Sequence, residues 1–130
     1  MIVRKLSEAV ADGRKVAASG WESNRLILKE DAVGFSFHIT VIKKDAVLYM
    51  QYRNHFEAVY CIAGRGEIVD LANQCVHLIE PGTLYLLDKH DKHQLKALEE
   101  MQLACVFNPP LKGDEVHDAS GSYPALSELV

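Results

Sequence analysis

The side chains best suited to chemistry lie in the motif Tyr52-x-x-His55-x-Glu57, near the middle of the chain. If this stretch forms a β-strand, its two-residue period directs His55 and Glu57 to one face, beside Val59 and Cys61. Leaving a carboxylate ionised among apolar neighbours is costly unless a cation, a metal or hydrogen bonds compensate for its burial. The spacing is therefore compatible with a metal site, with a simple Glu57–His55 pair, or with an exposed face at a sheet edge.

A second set of candidate ligands lies in Pro81-Gly82-x-x-Tyr85 and at His93. Consecutive strands usually pair, so we expect Tyr85 and His93 to face each other across a hairpin whose turn is centred on Lys89 and His90. Imidazole, carboxylate and phenol oxygen can together hold a divalent ion such as iron with open coordination positions. The same residues are also compatible with a core aromatic at Tyr85 and a polar strand end at His93.

Charge and composition narrow the classes of protein and partner. The 130 residues contain 14 Lys and Arg against 18 Asp and Glu, so the net charge is −4, and no basic run exceeds a pair such as Lys43-Lys44. Phosphate backbones need clustered cations, so no nucleic-acid partner is expected. Apolar residues make up 48% of the chain, enough for one domain with its own core. No apolar run approaches the roughly 18 residues of a membrane span, so no membrane partner is expected either.

The cysteines indicate a reducing compartment. Cys61, Cys75 and Cys105 are odd in number, far apart and without a C-x-x-C pair. This pattern fits neither a disulfide framework nor a cysteine zinc site. The N-terminus also lacks the apolar stretch of a signal peptide. We therefore expect a soluble, cytoplasmic protein.

Most of the chain shows the two-residue alternation of short β-strands. Strands are predicted for residues 35–42, 47–51, 58–62, 67–70, 75–79, 83–87, 93–97 and 101–107. One helix is predicted over residues 8–11, capped by Ser7 and ended by Asp12-Gly13. Strands that recur about every ten residues with turn residues between them favour a β-sandwich or small barrel. Both faces of 58–62 carry apolar residues, so we expect a partner surface to cover part of the sheet.

Two motifs resemble those of cupin barrels: Glu57 with six residues between it and Gly64, and Pro81-Gly82-x-x-Tyr85. Both depart from the common form, because Tyr52 and Arg53 stand where a histidine pair usually precedes the glutamate, and Tyr85 replaces a histidine. In these departures the chain resembles the ectoine synthase branch of the cupins. The resemblance runs almost from end to end, and its further stretches are Met1-Ile2-Val3-Arg4, Gly34-Phe35-Ser36-Phe37-His38, Asn54-His55-x-Glu57-Ala58-Val59-Tyr60-Cys61-Ile62, Leu87-Asp88-Lys89-His90-Asp91-x-His93, Val106-Phe107-Asn108-Pro109-Pro110-Leu111, Glu115-Val116-His117-Asp118 and Tyr123-Pro124.

The resemblance implies an all-β fold, a small jelly-roll-like cupin barrel with one or two short helices. It implies a single domain over residues 1–130, with the barrel in residues 1–110 and a C-terminal tail or lid in residues 111–130. By composition alone this Gly- and Pro-punctuated tail is more typical of a mobile end. Given the resemblance, we expect Glu115 and His117 to lie on a flap that orders over the pocket when ligand binds. The family's dimers also imply a homodimer.

The resemblance further implies one catalytic Fe²⁺ per chain, bound by Glu57, Tyr85 and His93. It implies the substrate N-γ-acetyl-L-2,4-diaminobutyrate, whose α-amino group condenses onto its own acetamide carbonyl with loss of water to give ectoine. Other positions match residues that the family uses around the substrate or active site: Trp21, Arg25, Thr40, Tyr52, His55, Phe107, Glu115 and His117. His38 joins them because it shares parity with Thr40.

Such a condensation needs a polarised carbonyl, a base for the α-ammonium group and an acid for the departing oxygen. The residues assigned to catalysis are Tyr52, His55, Glu115 and His117, with the roles of base and acid left open. Trp21 and Phe107 are expected to wall a dry pocket. Arg25 is expected to clamp the substrate carboxylate, because guanidinium presents a planar fork of donors.

Two other functions remain open at this point. Another metal-dependent cupin enzyme, such as an oxygenase or isomerase acting on a small acid, would use several histidines, whereas here the first motif lacks its pair and Tyr85 replaces the histidine of the second. A non-catalytic small-molecule-binding cupin, such as a sensor module, would need an output domain, and the sequence contains no helix-turn-helix segment.

Overall fold

The computed structural model describes residues 1–119 and 121–122 and places ten strands in them. The strands are β1 Lys15–Ala18, β2 Trp21–Ile27, β3 Ser36–Ile42, β4 Val47–Met50, β5 Phe56–Ala63, β6 Gly66–Asp70, β7 Cys75–Ile79, β8 Leu84–Leu87, β9 His93–Ala97 and β10 Met101–Asn108. A six-stranded sheet has the order β1-β2-β3-β10-β5-β8, and a four-stranded sheet has the order β4-β9-β6-β7. Apolar side chains of both sheets pack into one core. The result is the predicted all-β, cupin-type barrel.

The helical content is small. In the described residues it consists of two 3₁₀ helices, Leu6–Glu8 and Lys29–Asp31. The predicted helix over residues 8–11 was wrong in its bounds and its cap, because Lys5 precedes the first helix and makes no side-chain cap hydrogen bond. The segment before Asp12-Gly13 is too short to form an α-helix, because its few residues cannot offset the unfavourable free energy of helix nucleation. Within the described ranges, no helix has the length and apolarity needed to cross a membrane.

The predicted hairpin between Tyr85 and His93 was also wrong. Strand β8 pairs with β5 in the six-stranded sheet, whereas β9 pairs with β4 and β6 in the four-stranded sheet. Because both edges of β9 are already occupied, β8 cannot pair with it. The connecting loop, residues 88–92, therefore crosses from one sheet to the other, and Tyr85 and His93 belong to different walls of the barrel.

All eight predicted strands are present, but β1 and β2 were not predicted. Strand β2 has the sequence Trp-Glu-Ser-Asn-Arg-Leu-Ile, and its buried positions include Ser23, Asn24 and Arg25. An inward face made of polar residues lacks the apolar alternation on which the prediction relied. A register shift between Arg25 and Ile27 interrupts the pattern further.

Gly64 marks a tight crossing of the chain at the end of β5. Its φ of +85° is left-handed, and a β-carbon there would overlap the carbonyl oxygen of Glu100. Only glycine permits both the conformation and the close approach. The glycine that follows Glu57 in the first cupin-like motif is therefore required by backbone geometry.

Candidate functional site

A cavity of about 40 Å³ lies inside the barrel. Eight of the twelve side chains predicted for the site line it: Trp21, His38, Thr40, Tyr52, Glu57, Tyr85, Phe107 and His117. The other four do not line it but are buried, each with 4% or less of its surface exposed: Arg25, His55, His93 and Glu115. Much of the remaining wall is apolar, formed by Ile42, Leu48, Met50, Val59, Leu95 and Leu103. A mostly apolar wall with a few polar groups is typical of a small-molecule site.

The register of the six-stranded sheet explains why these side chains converge. One row of Cα partners crosses the sheet through Arg25, His38, Cys105, Val59 and Tyr85. The neighbouring row passes through Ser36, Phe107, Glu57 and Leu87. Directly opposed residues of antiparallel strands share a face, so both rows point into the barrel. Glu57 and Tyr85 thus lie on adjacent strands and on the same interior face.

Burial dominates the acid-base behaviour of Glu57 and Tyr85. Removal from water raises the pKa of Glu57 to about 8, although a hydrogen bond from Cys105 partly lowers it. The pKa of Tyr85 lies well above its usual value because of burial and, secondarily, because of the neighbouring Glu57 charge. A divalent cation placed between such groups would oppose both shifts, since it stabilises their anionic forms.

His93 lies on the opposite sheet, at the start of β9, with only 1% of its surface exposed, and its ring centroid is 6.0 Å from that of Tyr52. Its Nδ1–H donates to the Asp91 carbonyl oxygen at 2.8 Å, so Nε2 is left with its lone pair. Although Nε2 is buried, it has no hydrogen-bond partner among the described residues. Burial also lowers the pKa of His93, which favours the neutral ring. A neutral imidazole oriented through its other nitrogen is the form that binds metals.

The donor set formed by Glu57, Tyr85 and His93 fits a divalent first-row ion in chemical type, because such ions accept mixed nitrogen and oxygen ligands. The described residues bring no three His, Cys, Asp or Glu side chains together as a metal-binding group. The proposed set differs from such groups in including a phenol. Tyr85 lines both the interior cavity and a second cavity of about 260 Å³, which His93 also lines.

Tyr52 and His117 form a hydrogen-bonded pair at the cavity wall. Tyr52 lies in the loop between β4 and β5, and its hydroxyl oxygen is 2.8 Å from Nε2 of His117. The ring of Trp21 packs against His117 with a centroid separation of 5.2 Å. Burial, and secondarily the charge of Arg25, lowers the pKa of His117 to about 4. At neutral pH the ring is therefore uncharged, and Nε2 can accept the Tyr52 proton.

Arg25 and Glu115 hold the C-terminal tail against the barrel. Nη1 of Arg25 donates to the Gly113 carbonyl oxygen at 3.1 Å and lies 3.8 Å from Oε1 of Glu115. The Glu115 carboxylate also accepts the backbone N–H groups of Lys112 at 2.6 Å and Gly113 at 2.7 Å. Two buried opposite charges with hydrogen bonds to the tail compensate each other. The role of Arg25 as a clamp for the substrate carboxylate stays a prediction.

The described part of the tail packs against the barrel, and its ordering on ligand binding stays a prediction. Leu111 is fully buried, and its N–H donates to Oγ of Ser36 at 3.1 Å. Further along, Oγ of Ser122 accepts the backbone N–H of Arg53 at 3.0 Å. Tyr123-Pro124 and the remainder of the predicted lid, including residue 120, lie outside the described residues.

His38 and His55 are both buried and electrically neutral neighbours of the cavity. His38 lies with Thr40 on the inward face of β3, and Oγ of Ser23 and Oγ of Ser36 lie 3.4 and 3.2 Å from its two ring nitrogens. Burial holds the pKa of His38 well below its usual value. His55 precedes β5 directly, exposes 1% of its surface, and has its pKa lowered by burial as well.

Three residues of the site were not predicted: Ser23, Ser36 and Cys105. The two serines contact His38, and Cys105 lines the cavity. Extending the parity of His38 by two residues would have found Ser36, and extending that of Phe107 would have found Cys105. Ser23 had no such signal, because its strand was itself not predicted.

Comparison with known proteins identifies the family. The family model described as ectoine synthase matches residues 1–127. An L-ectoine synthase from Saccharophagus degradans is 56% identical over 130 residues, which cover 100% of this chain and 98% of that protein. The crystal structure of ectoine synthase from P. lautus superposes with a TM-score of 0.83 at 45% identity, covering 87% of this chain and 81% of that chain. The Cupin_2 domain of an XRE family transcriptional regulator from Enterobacter cloacae, with a TM-score of 0.59 at 11% identity over 71% of this chain and 99% of that chain, shows the fold alone. The chain belongs to the ectoine synthase family of cupins.

Proposed function

We propose that the chain carries out the ectoine synthase reaction on N-γ-acetyl-L-2,4-diaminobutyrate with one Fe²⁺ per chain. Family membership makes it a hydro-lyase. In the proposed reaction, the α-amino nitrogen forms a bond with the acetamide carbonyl carbon, and the carbonyl oxygen leaves as water after its bond to carbon breaks. The observation that carries the proposal is the interior cavity, because it collects buried donors and proton-transfer groups within a mostly apolar wall.

Glu57, Tyr85 and His93 would hold the ion. The support is the buried lone pair of His93 Nε2, together with two buried oxygen groups that lack a compensating cation nearby in the described residues. When bound, the ion supplies Lewis acidity that polarises the acetamide carbonyl. The choice of Fe²⁺ follows the family resemblance, since this ligand set accepts several first-row ions.

The Tyr52–His117 pair is the best-supported proton-transfer unit. A proton leaving the substrate ammonium can pass to the Tyr52 oxygen while the phenol proton moves to Nε2 of His117, over the 2.8 Å that separates these atoms. The neutral state of His117 keeps this nitrogen available at neutral pH. Glu115 is less suited to the role, because both of its oxygens already accept backbone N–H groups. We therefore assign Glu115 to holding the tail.

The apolar wall favours cyclisation over competing hydration. Phe107 is 2% exposed and Trp21 is 5% exposed, and both line the cavity. A site that excludes water strengthens electrostatic contacts within it and removes the competing nucleophile. A narrow pocket also holds a flexible substrate folded, so that its amine stays close to its own carbonyl. The wall thus supplies both exclusion of water and orientation.

The test combines turnover with metal content. Anaerobic, iron-loaded protein is incubated with N-γ-acetyl-L-2,4-diaminobutyrate, and mass spectrometry follows the product lighter by one water. Glu57→Gln keeps the side-chain size but removes a donor charge, so it should lose both bound iron and turnover. The matched control is Glu99→Gln on an exposed loop, which should change neither. Iron binding by the wild-type protein without product would contradict the proposed reaction, and turnover by Glu57→Gln would contradict the proposed metal ligands.

We further propose a homodimer that covers the outer face of β5 and β8. Apolar side chains on this face are 42–60% exposed: Phe56, Tyr60, Ile62, Leu84 and Leu86. In the described part of the chain, β8 is also an edge strand of the six-stranded sheet, with backbone groups available for pairing. Sedimentation equilibrium at micromolar concentration should give the dimer mass, and Leu84→Lys should shift it toward the monomer. A monomeric wild-type protein would refute this assembly.

A further inference from the structure

The loop between β8 and β9 contains a histidine that the proposed mechanism does not use. His90 has a φ of +54°, a left-handed conformation that residues with a β-carbon seldom adopt. Glycine or asparagine would meet the needs of a simple turn at this position with less strain. Such a conformation persists only where surrounding contacts impose it. The contacts of His90 therefore indicate which interactions its strained backbone conformation makes possible.

Three contacts fix His90 to the segment that leads into β5. Its Nδ1–H donates to the Tyr52 carbonyl oxygen at 2.8 Å. Its own carbonyl oxygen accepts from Nε2 of Gln51 at 3.2 Å. Its ring stacks on Phe56, with a centroid separation of 4.9 Å and an interplanar angle of 23°. The histidine thus binds both the residue before Tyr52 and the first residue of β5.

These contacts connect His90 to the proton-transfer pair through the main chain of Tyr52. The main chain of Tyr52 receives the His90 hydrogen bond, and the Tyr52 hydroxyl meets His117 at 2.8 Å. The phenol is attached to the backbone by only two rotatable bonds, so fixing the backbone strongly limits where its oxygen can lie. Loss of the hydrogen bond would remove one restraint on the Tyr52 backbone while leaving every cavity-lining side chain in the sequence.

We propose that His90 is a positioning residue for the cyclisation, which holds Tyr52 so that its hydroxyl stays hydrogen-bonded to His117 inside the cavity. The inference rests on the proposed function, because it assigns His90 a task in that reaction. Small displacements of groups that orient a reaction cost rate, so we expect kcat to fall by about ten- to a hundredfold when the contact is lost. KM should change little, because Tyr52 is placed for proton transfer.

Two variants separate the hydrogen bond from the stack and from the backbone strain. His90→Phe keeps an aromatic ring against Phe56 but has no donor for the Tyr52 carbonyl. His90→Gly removes the ring and also relieves the left-handed strain, so it should fold at least as readily at this turn. The matched control is His77→Phe, because His77 is exposed on β7 and lies outside the site.

The values of kcat and KM and the iron content are measured on the iron-loaded protein in the oligomeric state in which it is purified. The chemical shifts of the His117 imidazole nitrogens are measured by NMR on the zinc-loaded protein. Both His90 variants should lose kcat, keep KM and iron content close to wild type, and shift the His117 signals; His77→Phe should match wild type throughout. Wild-type kcat in His90→Gly, or unchanged His117 shifts in both variants, would overturn the inference. Absence of product from the wild-type protein would instead refute the proposed function, and the NMR comparison would still decide whether His90 positions Tyr52.

Discussion

Acidification should release the C-terminal tail from the barrel, because His117 is docked there as a neutral ring. Burial, and secondarily the charge of Arg25, lowers the pKa of His117 from 6.5 to about 4, although Asp118 opposes the shift and His93 adds a smaller lowering effect. A detached tail would return the ring to water and to its ordinary pKa. The docked state therefore binds fewer protons than the released state, and protonation favours release.

The size of the effect follows from the two pKa values. Above pH 6.5 His117 is neutral in both states, so the docking free energy does not depend on its titration. Between pH 6.5 and about 4, docking weakens by about 1.4 kcal/mol per pH unit, because only the released ring takes up a proton. The total is about 3 kcal/mol, which corresponds to a decrease of a few hundredfold in the docking constant. Below that range both states are protonated and the contribution of His117 is fully lost.

Trp21 provides the assay, because it is the single tryptophan of the chain and it packs against His117. Its side chain is 5% exposed in the docked state, so release should shift its emission to longer wavelength and increase quenching by acrylamide. The measurement runs from pH 7.5 to 4.5, with far-UV circular dichroism to confirm that the barrel stays folded. His117→Gln is the control, since glutamine can still bond to the Tyr52 hydroxyl but does not titrate.

The wild-type protein should expose Trp21 progressively below pH 6.5, and the variant should show a much flatter dependence. Three other buried histidines, His38, His55 and His93, also have lowered pKa values and weaken the barrel in acid, but they do so in both proteins. Equal pH dependence in wild type and His117→Gln would refute the reasoning, because it would assign the release to groups other than His117.

Two further changes test the wall and the tail. Phe107→Ala should destabilise the protein by about 3–5 kcal/mol in urea unfolding, because it removes a buried aromatic ring from the barrel interior, whereas Phe35→Ala at a 38% exposed position should cost far less; equal losses would contradict the assigned packing. Truncation after Pro110 removes Glu115 and His117 but none of the proposed metal ligands, so it should abolish cyclisation while iron content is retained; full cyclising activity after truncation would show that the tail is dispensable.

Local sequence patterns predicted most of the barrel because eight of its strands are short runs rich in apolar and β-branched residues, bounded by turn residues. Strand β3 shows how the inward face can be misjudged. Its buried positions include Ser36, His38 and Ile42, while Phe37 and Ile39 are only half-buried on the outer side. The barrel interior accepts polar residues here because they line a site and bond to one another. In β3, the requirements of the site therefore reverse the usual pattern in which apolar side chains face inward and polar side chains face outward.

The sequence could not predict which strands pair with each other within the two sheets. Local signals placed β8 and β9 correctly, but they contained no information about which edges other strands had already occupied. The separation of Tyr85 and His93 onto two walls follows from those distant pairings. Residue type could propose a carboxylate, a phenol and an imidazole as ligands, but only the topology determines the directions from which they approach.

The tail is held mainly by polar contacts, and this explains how a buried site can exchange its ligands. Backbone groups of the tail bond to the barrel at several points, including the Gln51 N–H to the Gly121 carbonyl oxygen at 3.0 Å and Arg25 to Gly113. When such bonds break, water replaces them, so each contributes only about 1 kcal/mol net to docking. Leu111 anchors the start of the tail in the core and is fully buried. Opening beyond Leu111 therefore breaks mainly polar contacts together with the packing of His117 on Trp21, and the segment that carries Glu115 and His117 can detach while Leu111 stays in the core of the barrel that carries the proposed metal ligands.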